Sequence, residues 1–172
     1  MPDDLRTARL TLRNVVADDA VHFARLLGGD SASVQMMATM PDPCTEPDAR
    51  RWIEDRLSLG FRIFAIIRAE DGEFLGTIGV GGPPDRMELG YWIGRPYWGQ
   101  GYVTEAVQVM IDYARELGAV KLYAGTWPHN TASARVLLKA GFRDLGPTII
   151  DLPSRGGLRE TDQYELDLRS KS

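Results

Sequence analysis

The sequence predicts an α+β fold with α/β/α-like layering, in which a mixed, mostly antiparallel seven-stranded sheet is flanked by about four helices. Three observations lead there. Branched and aromatic runs alternate with amphipathic runs in the order strand, two helices, three strands, helix, strand, helix, two strands. The 172 residues suit one domain, spanning 1–172, long enough to bury about 70% of the surface that the unfolded chain exposes. No internal repeat, low-complexity tract or linker breaks the chain.

The elements follow in order. Arg9 to Val16 alternates around Leu10 and Leu12 as a first strand. Asp18 suits an N-cap, and Ala20, Phe23, Ala24 and Leu27 make the apolar stripe of a short helix that stops at Gly28-Gly29. The segment Met36 to Met40 reads as part helix and part loop, and prolines 41, 43 and 47 punctuate the chain before a second apolar helical face at Trp52, Ile53 and Leu57. Phe61 to Arg68 and Phe74 to Val80 are strands around an Asp71-Gly72 hairpin signal, and Met87 to Ile93 adds a third. Val103, Ala106, Val107, Met110, Ile111, Ala114 and Leu117 recur at helical steps up to Gly118. Val120 to Trp127 is a strand, Thr131 to Ala140 a helix, and the chain finishes with strands from Phe142 and over Thr161 to Leu168, separated by a loop at Pro153 to Gly157.

Composition removes whole classes of function. Lys and Arg total 20 against 24 Asp and Glu, a formal charge of −4, without the basic stripe of a nucleic-acid-binding protein. Cys44 is the single cysteine, and His22 and His129 stand far apart, so disulfides and a metal site are not expected. The N-terminus lacks a signal-peptide profile, and the longest apolar runs, such as Ile63 to Ile67, are too short for a bilayer. A cytoplasmic protein with no membrane partner is expected.

Glycines 99 and 101 lie between a strand and the long helix, so backbone N–H groups and the positive end of the helix dipole converge on one spot suited to a pyrophosphate. A P-loop would need Gly-Lys followed by Ser or Thr, and a dinucleotide fingerprint a third small residue where Thr104 stands. A tight turn without a ligand is the other reading. One strand later, His129-Asn130-Thr131-Ala132-Ser133 opens a second helix that ends in Gly141-Phe142. With both clusters in this order, the chain resembles the GNAT (Gcn5-related N-acetyltransferase) family over nearly its whole length. The run from Tyr97 to Ala106 is most similar to the RimJ/RimL-like branch.

The resemblance implies the acyl-CoA N-acyltransferase fold, acetyl-CoA as donor cosubstrate and no metal. It implies that the pyrophosphate sits on the backbone of Trp98, Gly99, Gln100, Gly101, Tyr102 and Val103, with the pantetheine arm along Trp92 and Ile93. Asn130 would hold that arm near the thioester and Ser133 would lie near the sulfur. Arg95, Arg135 and Lys139 could reach the nucleotide phosphates or be plain solvated charges. Pro96 stands where the family often has Gln or Arg. Leu137 stands where many members carry the tyrosine that protonates the leaving thiolate.

Acetyl transfer needs a neutral amine, and a lysine-type amine with a pKa of about 10.4 needs a base. Glu88 is the candidate; a structural or solvent-facing carboxylate is the alternative. Ser133 leads as thiolate donor, with a helix-capping role as its alternative, and Tyr123 and Tyr164 stand behind it. A backbone N–H near Ile93 would meet the developing oxyanion. The acceptor pocket is expected from Met36 to Met40, Trp52 and the loop Asp151 to Arg159, where Arg155, Arg159 and Glu160 could orient a peptide-like or acidic substrate; the overall negative charge fits a cationic amine better. The functional reading is an N-acetyltransferase moving acetyl directly from acetyl-CoA to a peptide N-terminus or a small amine. Cys44, in a proline-rich loop without a nearby histidine signal, offers no covalent relay. The alternatives are a polyamine, amino-acid or aminoglycoside acetyltransferase, or an acetyl-CoA-binding module without efficient catalysis. Many relatives of the branch form homodimers, and the residues do not make the oligomeric state legible.

Overall fold

The computed structural model describes residues 4–169. In chain order the elements are β1 (Leu5–Arg6), β2 (Leu10–Asn14), α1 (Ala20–Leu27), α2 (Ser31–Gln35), α3 (Glu46–Ser58), β3 (Arg62–Arg68), β4 (Phe74–Gly81), β5 (Met87–Ile93), α4 (Tyr102–Glu116), β6 (Lys121–Thr126), α5 (Thr131–Lys139), β7 (Arg143–Leu152) and β8 (Gly157–Asp167). The strands form one sheet ordered β1-β2-β3-β4-β5-β6-β8-β7. Every neighbouring pair is antiparallel except β5 with β6.

The expected α+β fold is present with small corrections. The described residues hold eight strands rather than seven, because Leu5 and Arg6 pair with Leu12 and Thr11; a two-residue strand leaves no periodicity to read. They hold five α-helices, because α2 forms ahead of the methionines, nucleated by Asp30, whose side chain accepts from the Ser33 N–H. Met36 is already the C-cap of that turn. The cap expected at Asp18 belongs to its neighbour. The carboxylate of Asp19 accepts from the Val16 N–H at 2.9 Å and from both ends of the Arg13 fork at 2.7 and 2.9 Å, whereas Asp18 is exposed and meets Arg50.

Alternation sends the two sheet faces into two cores. On one face Met87 and Leu89 of β5, Leu122 and Ala124 of β6 and Tyr164 of β8 pack against Ala106, Val107, Met110 and Ile111 of α4 and Leu137 of α5. On the other, Trp92 and Phe74 pack against Phe23 and Leu27 of α1 and Ile53 of α3. No described helix is long and apolar enough to cross a membrane.

The parallel junction positions the site. Only Met87↔Leu122 and Glu88↔Tyr123 pair there, after which β5 continues to Ile93 and β6 to Thr126 without further pairing across the gap. β6 stays bound to β8 along its length. The sheet therefore opens like a V at Glu88, and α4 and α5 begin beside the opening.

Candidate active site

A cleft of about 1140 Å³ follows this opening. Along β5 the Gly94 N–H donates to Leu75 O at 2.8 Å. By the alternation of an antiparallel strand, the N–H groups of Ile93 and Tyr91 point the other way, into the gap that β6 has left. A ligand lying there meets backbone donors in place of a strand.

At the mouth of α4, Gly99 has φ 71° and Gly101 φ 81°, a left-handed backbone open to glycine with no Cβ penalty. Gly101 is the N-cap and no side chain caps the helix, so its first amides stay available to an anion. The loop is held from behind. Arg9 of the β1–β2 turn donates from Nη1 to Gln100 O at 2.9 Å, pairs through Nε with Glu105 at 2.8 Å, and lies 4.5 Å over the Tyr102 ring. Burial pushes the Glu105 carboxyl up, but hydrogen bonds from Thr7 and Arg9 hold it below its ordinary value. Arg9 was not legible as a support because its partners lie more than ninety residues away.

Trp92, Ile93, Trp98, Gly99, Gly101, Tyr102, Val103, Asn130, Ser133 and Arg135 all line the cleft. Arg95 and Gln100 do not. The Arg95 guanidinium is engaged by Asp30 at 2.7 Å through two bonds and lies 4.6 Å over the Trp98 ring. The Gln100 side chain donates to Pro96 O at 3.1 Å. Lys139 also lies outside the lining.

At the start of α5 the Asn130 side chain accepts from the Ser133 N–H at 3.2 Å, so Asn130 is the cap and the Ser133 hydroxyl is left for another partner. That partner is Tyr91 of β5, whose hydroxyl lies 2.7 Å from Ser133 Oγ. Burial pushes the Tyr91 phenol up to about 12 against the opposing Ser133 bond, so it keeps its proton at ordinary pH, and either hydroxyl can donate to the other. Sequence reasoning passed over Tyr91, although alternation from Met87 and Leu89 puts it on the α5 side. Leu137 is fully buried in the α4 core. Cys44 is buried too, its thiol pushed up to about 11 by burial first and Asp48 second; it lies outside the cleft lining.

Glu88, Gly90 and Trp92 alternate onto the other face of β5. Glu88 is exposed and is the one carboxylate among the described lining residues. Of the segment expected to form an acceptor pocket, Met36, Met37, Ala38 and Thr39 line the cleft together with Trp52 and Leu152, whereas Met40 is wholly buried in the α1–α3 core. The loop after Asp151 is not a free polar wall. It is a short turn at Pro153–Arg155, and the Arg155 guanidinium donates to Met37 O and Met40 O at 2.7 Å and to Val34 O at 2.9 Å. Ser154 Oγ adds a bond to Ala38 O at 2.8 Å. Arg155 thus latches the β7–β8 hairpin to the segment after α2 instead of facing a substrate, and burial pulls its pKa down.

A sheet opened at a parallel pair, an uncapped helix behind a left-handed glycine and a second capped helix across the gap define an acyl-CoA-type transferase site. The comparisons agree with that class. Residues 9–143 match the family model described as acetyltransferase (GNAT) domain, and the chain belongs to that family. It is 34% identical over 151 residues to the uncharacterized N-acetyltransferase p20 of Bacillus licheniformis, covering 84% of each chain. Among solved structures it is similar to a GNAT-family acetyltransferase from Bacillus anthracis, with TM-score 0.82 and 21% identity over 98% of this chain and 100% of the other. It also superposes on RimL, the ribosomal L7/L12 α-N-protein acetyltransferase solved with coenzyme A, with TM-score 0.82, 19% identity and coverage of 96% and 98%. The chain is a GNAT acetyltransferase of RimJ/RimL-like architecture, an acetyl-CoA-dependent acyltransferase. Among the described residues no cluster of His, Cys, Asp and Glu could hold a metal.

Proposed function

We propose that this chain transfers acetyl directly from acetyl-CoA to a primary amine, with Glu88 as general base and Ser133 as the proton donor to the departing thiolate. Bound acetyl-CoA supplies the acetyl thioester. The cradle fits it: the open backbone at Gly99 and Gly101 suits the pyrophosphate, and the unpaired edge of β5 suits the amide-rich pantetheine arm. Arg135 lies in the cleft lining, which supports a contact with the nucleotide phosphates, whereas Arg95 is already neutralised by Asp30.

The position of Glu88 carries this reading. It is the lining carboxylate at the point where β5 and β6 part, and among the described residues it has no side-chain hydrogen bond or ion pair, which leaves it free to take a proton from an amine directly or through water. As nitrogen bonds to the carbonyl carbon, the Ile93 N–H meets the negative charge growing on oxygen. The C–S bond breaks and the sulfur takes the Ser133 proton, with the Tyr91 O–H donating to Ser133 Oγ. This route does not need the tyrosine that Leu137 replaces. The resident thiol at Cys44 is buried and protonated, so a covalent relay has no nucleophile there.

Glu88→Gln tests the assignment. With a lysine-type amine at neutral pH, kcat/KM should fall about 10²-fold or more, the contribution of a general base, while calorimetry shows unchanged acetyl-CoA affinity. An intact rate would remove Glu88 as base.

A further inference from the structure

The cleft around Glu88 is cationic, although the chain is not. Besides Glu88, the charged side chains of the described lining are Arg56, Arg86 and Arg135. Two of these flank the carboxylate at fixed positions.

On one flank the link runs through a ring. Gly81 of β4 is the cross-strand partner of Glu88, so the two share a face of the sheet. The Phe61 ring occupies the space above Gly81, its Cδ1 only 2.5 Å from where a Cβ would be. The Arg56 guanidinium lies 5.2 Å over Phe61 and 5.6 Å over Trp52. Arg56 therefore stands one aromatic ring away from the base. Its orientation is set by Thr39, whose Oγ1 accepts from Arg56 Nη2 at 2.7 Å and from Trp52 Nε1 at 2.9 Å. On the other flank Tyr123 of β6 is the parallel partner of Glu88, and Arg86 lies 5.1 Å over its ring.

Among the described residues neither Arg56 nor Arg86 has a carboxylate partner. Arg56 uses one of five N–H donors on Thr39, which leaves most of a planar fork that matches a carboxylate. A half-buried, ring-stacked guanidinium with unfilled donors is built to receive an anion.

We propose that the acceptor is an amine that also carries a carboxylate several bonds away, its nitrogen at Glu88 and its carboxylate at Arg56, with Arg86 adding to the same positive potential. This rests on the acetyl-transfer reading and names the substrate class for it. Such a group occurs in a free ω-amino acid and in a peptide with an N-terminal glutamyl residue, and the chemistry recognised is the same.

The test needs paired substrates that differ only in charge. δ-Aminovalerate is compared with δ-aminovaleramide, and glutamyl-alanine with glutaminyl-alanine, in wild type, Arg56→Gln and Arg56→Lys. In wild type the acid of at least one pair should exceed its amide in kcat/KM by about 10- to 100-fold, as expected for a charge-assisted contact. The difference should lie in KM, collapse in Arg56→Gln and return in part in Arg56→Lys. The pair showing the preference tells the free amino acid from the peptide. Equal use of acid and amide in both pairs, or a preference that survives Arg56→Gln, overturns the proposal. Calorimetry of the same pairs onto the protein with coenzyme A reads recognition apart from turnover. A carboxylate preference without acetylation of any amine would keep the anion site and overturn the transferase reading; no preference in either measurement would overturn the anion site whatever the turnover.

Discussion

Replacing Gly101 by valine probes the proposed phosphate cradle at one atom. The new Cβ would sit 3.3 Å from Arg9 Nη2 on a backbone at φ 81°, so the variant should lose about 1–2 kcal/mol of stability to left-handed strain. It should also bind acetyl-CoA about tenfold or more weakly by calorimetry, as expected for losing backbone contacts to an anion. Tyr91→Phe asks a different question. Removing the phenol leaves Ser133 without its 2.7 Å partner, and should lower kcat more than KM while costing only about 0.5–1.5 kcal/mol in a thermal melt. Because that phenol does not titrate below about 12, the pH profiles of wild type and variant should share their inflections and differ in height. A moved inflection would mean that Tyr91 is not acting through Ser133.

Between elements, close approaches decide more than propensity does. A Cβ on Gly76 of β4 would lie 2.1 Å from Trp92 O and 2.8 Å from Ile93 Cα, backbone atoms that cannot turn aside. Gly76→Ala should push β5 away at the edge proposed for the pantetheine arm, cost about 1–3 kcal/mol in denaturant unfolding, and weaken acetyl-CoA binding. The pair of Arg13 and Asp19 ties β2 to the start of α1. Burial pushes the Asp19 carboxyl up, and the bonds from Arg13 and Val16 more than reverse this, leaving it below its ordinary value. A depressed folded-state pKa gives stability that is present above pH ~4 and lost as pH falls through the folded value. The Tm difference between wild type and Asp19→Asn should therefore be large near neutrality and shrink on acidification. The glycine loop, the start of α5 and most strand positions were legible because each depends on residues within a few places of one another, although the cap of α5 is Asn130 and not Ser133. The two-residue β1, the turn of α2 and the true cap at Asp19 were not. β1 exists only through its pairing with β2, and a choice between Asp18 and Asp19 turns on where Arg13 lies.

At the scale of the molecule, the formal charge of −4 does not describe the cleft. The overall acidity favours a cationic amine as acceptor, whereas the acidic side chains are mostly elsewhere and the cleft lining holds Arg56, Arg86 and Arg135 with one glutamate. Residues 56, 61, 81 and 88 meet only after β3, β4 and β5 have paired, so no spacing in the chain announces them. Arg155 works over a still longer range, bonding carbonyls at positions 34, 37 and 40 from the tip of the last hairpin. Arg155→Ala should loosen that hairpin, with faster hydrogen exchange over residues 148–160, unchanged exchange in β3 and β4, and a raised KM for the amine. Unchanged exchange in the hairpin would show that the turn holds without the latch.

The same latch carries a consequence for biosynthesis. Translation delivers the chain from its N-terminus, so the cradle residues from Trp98 to Ser133 leave the ribosome before the hairpin does. A nascent chain ending short of Arg155 has the whole glycine loop but no strap across the segment from Val34 to Met40. The cleft wall at Met37 and Ala38 is thus strapped only after the glycine loop and the start of α5 have been made.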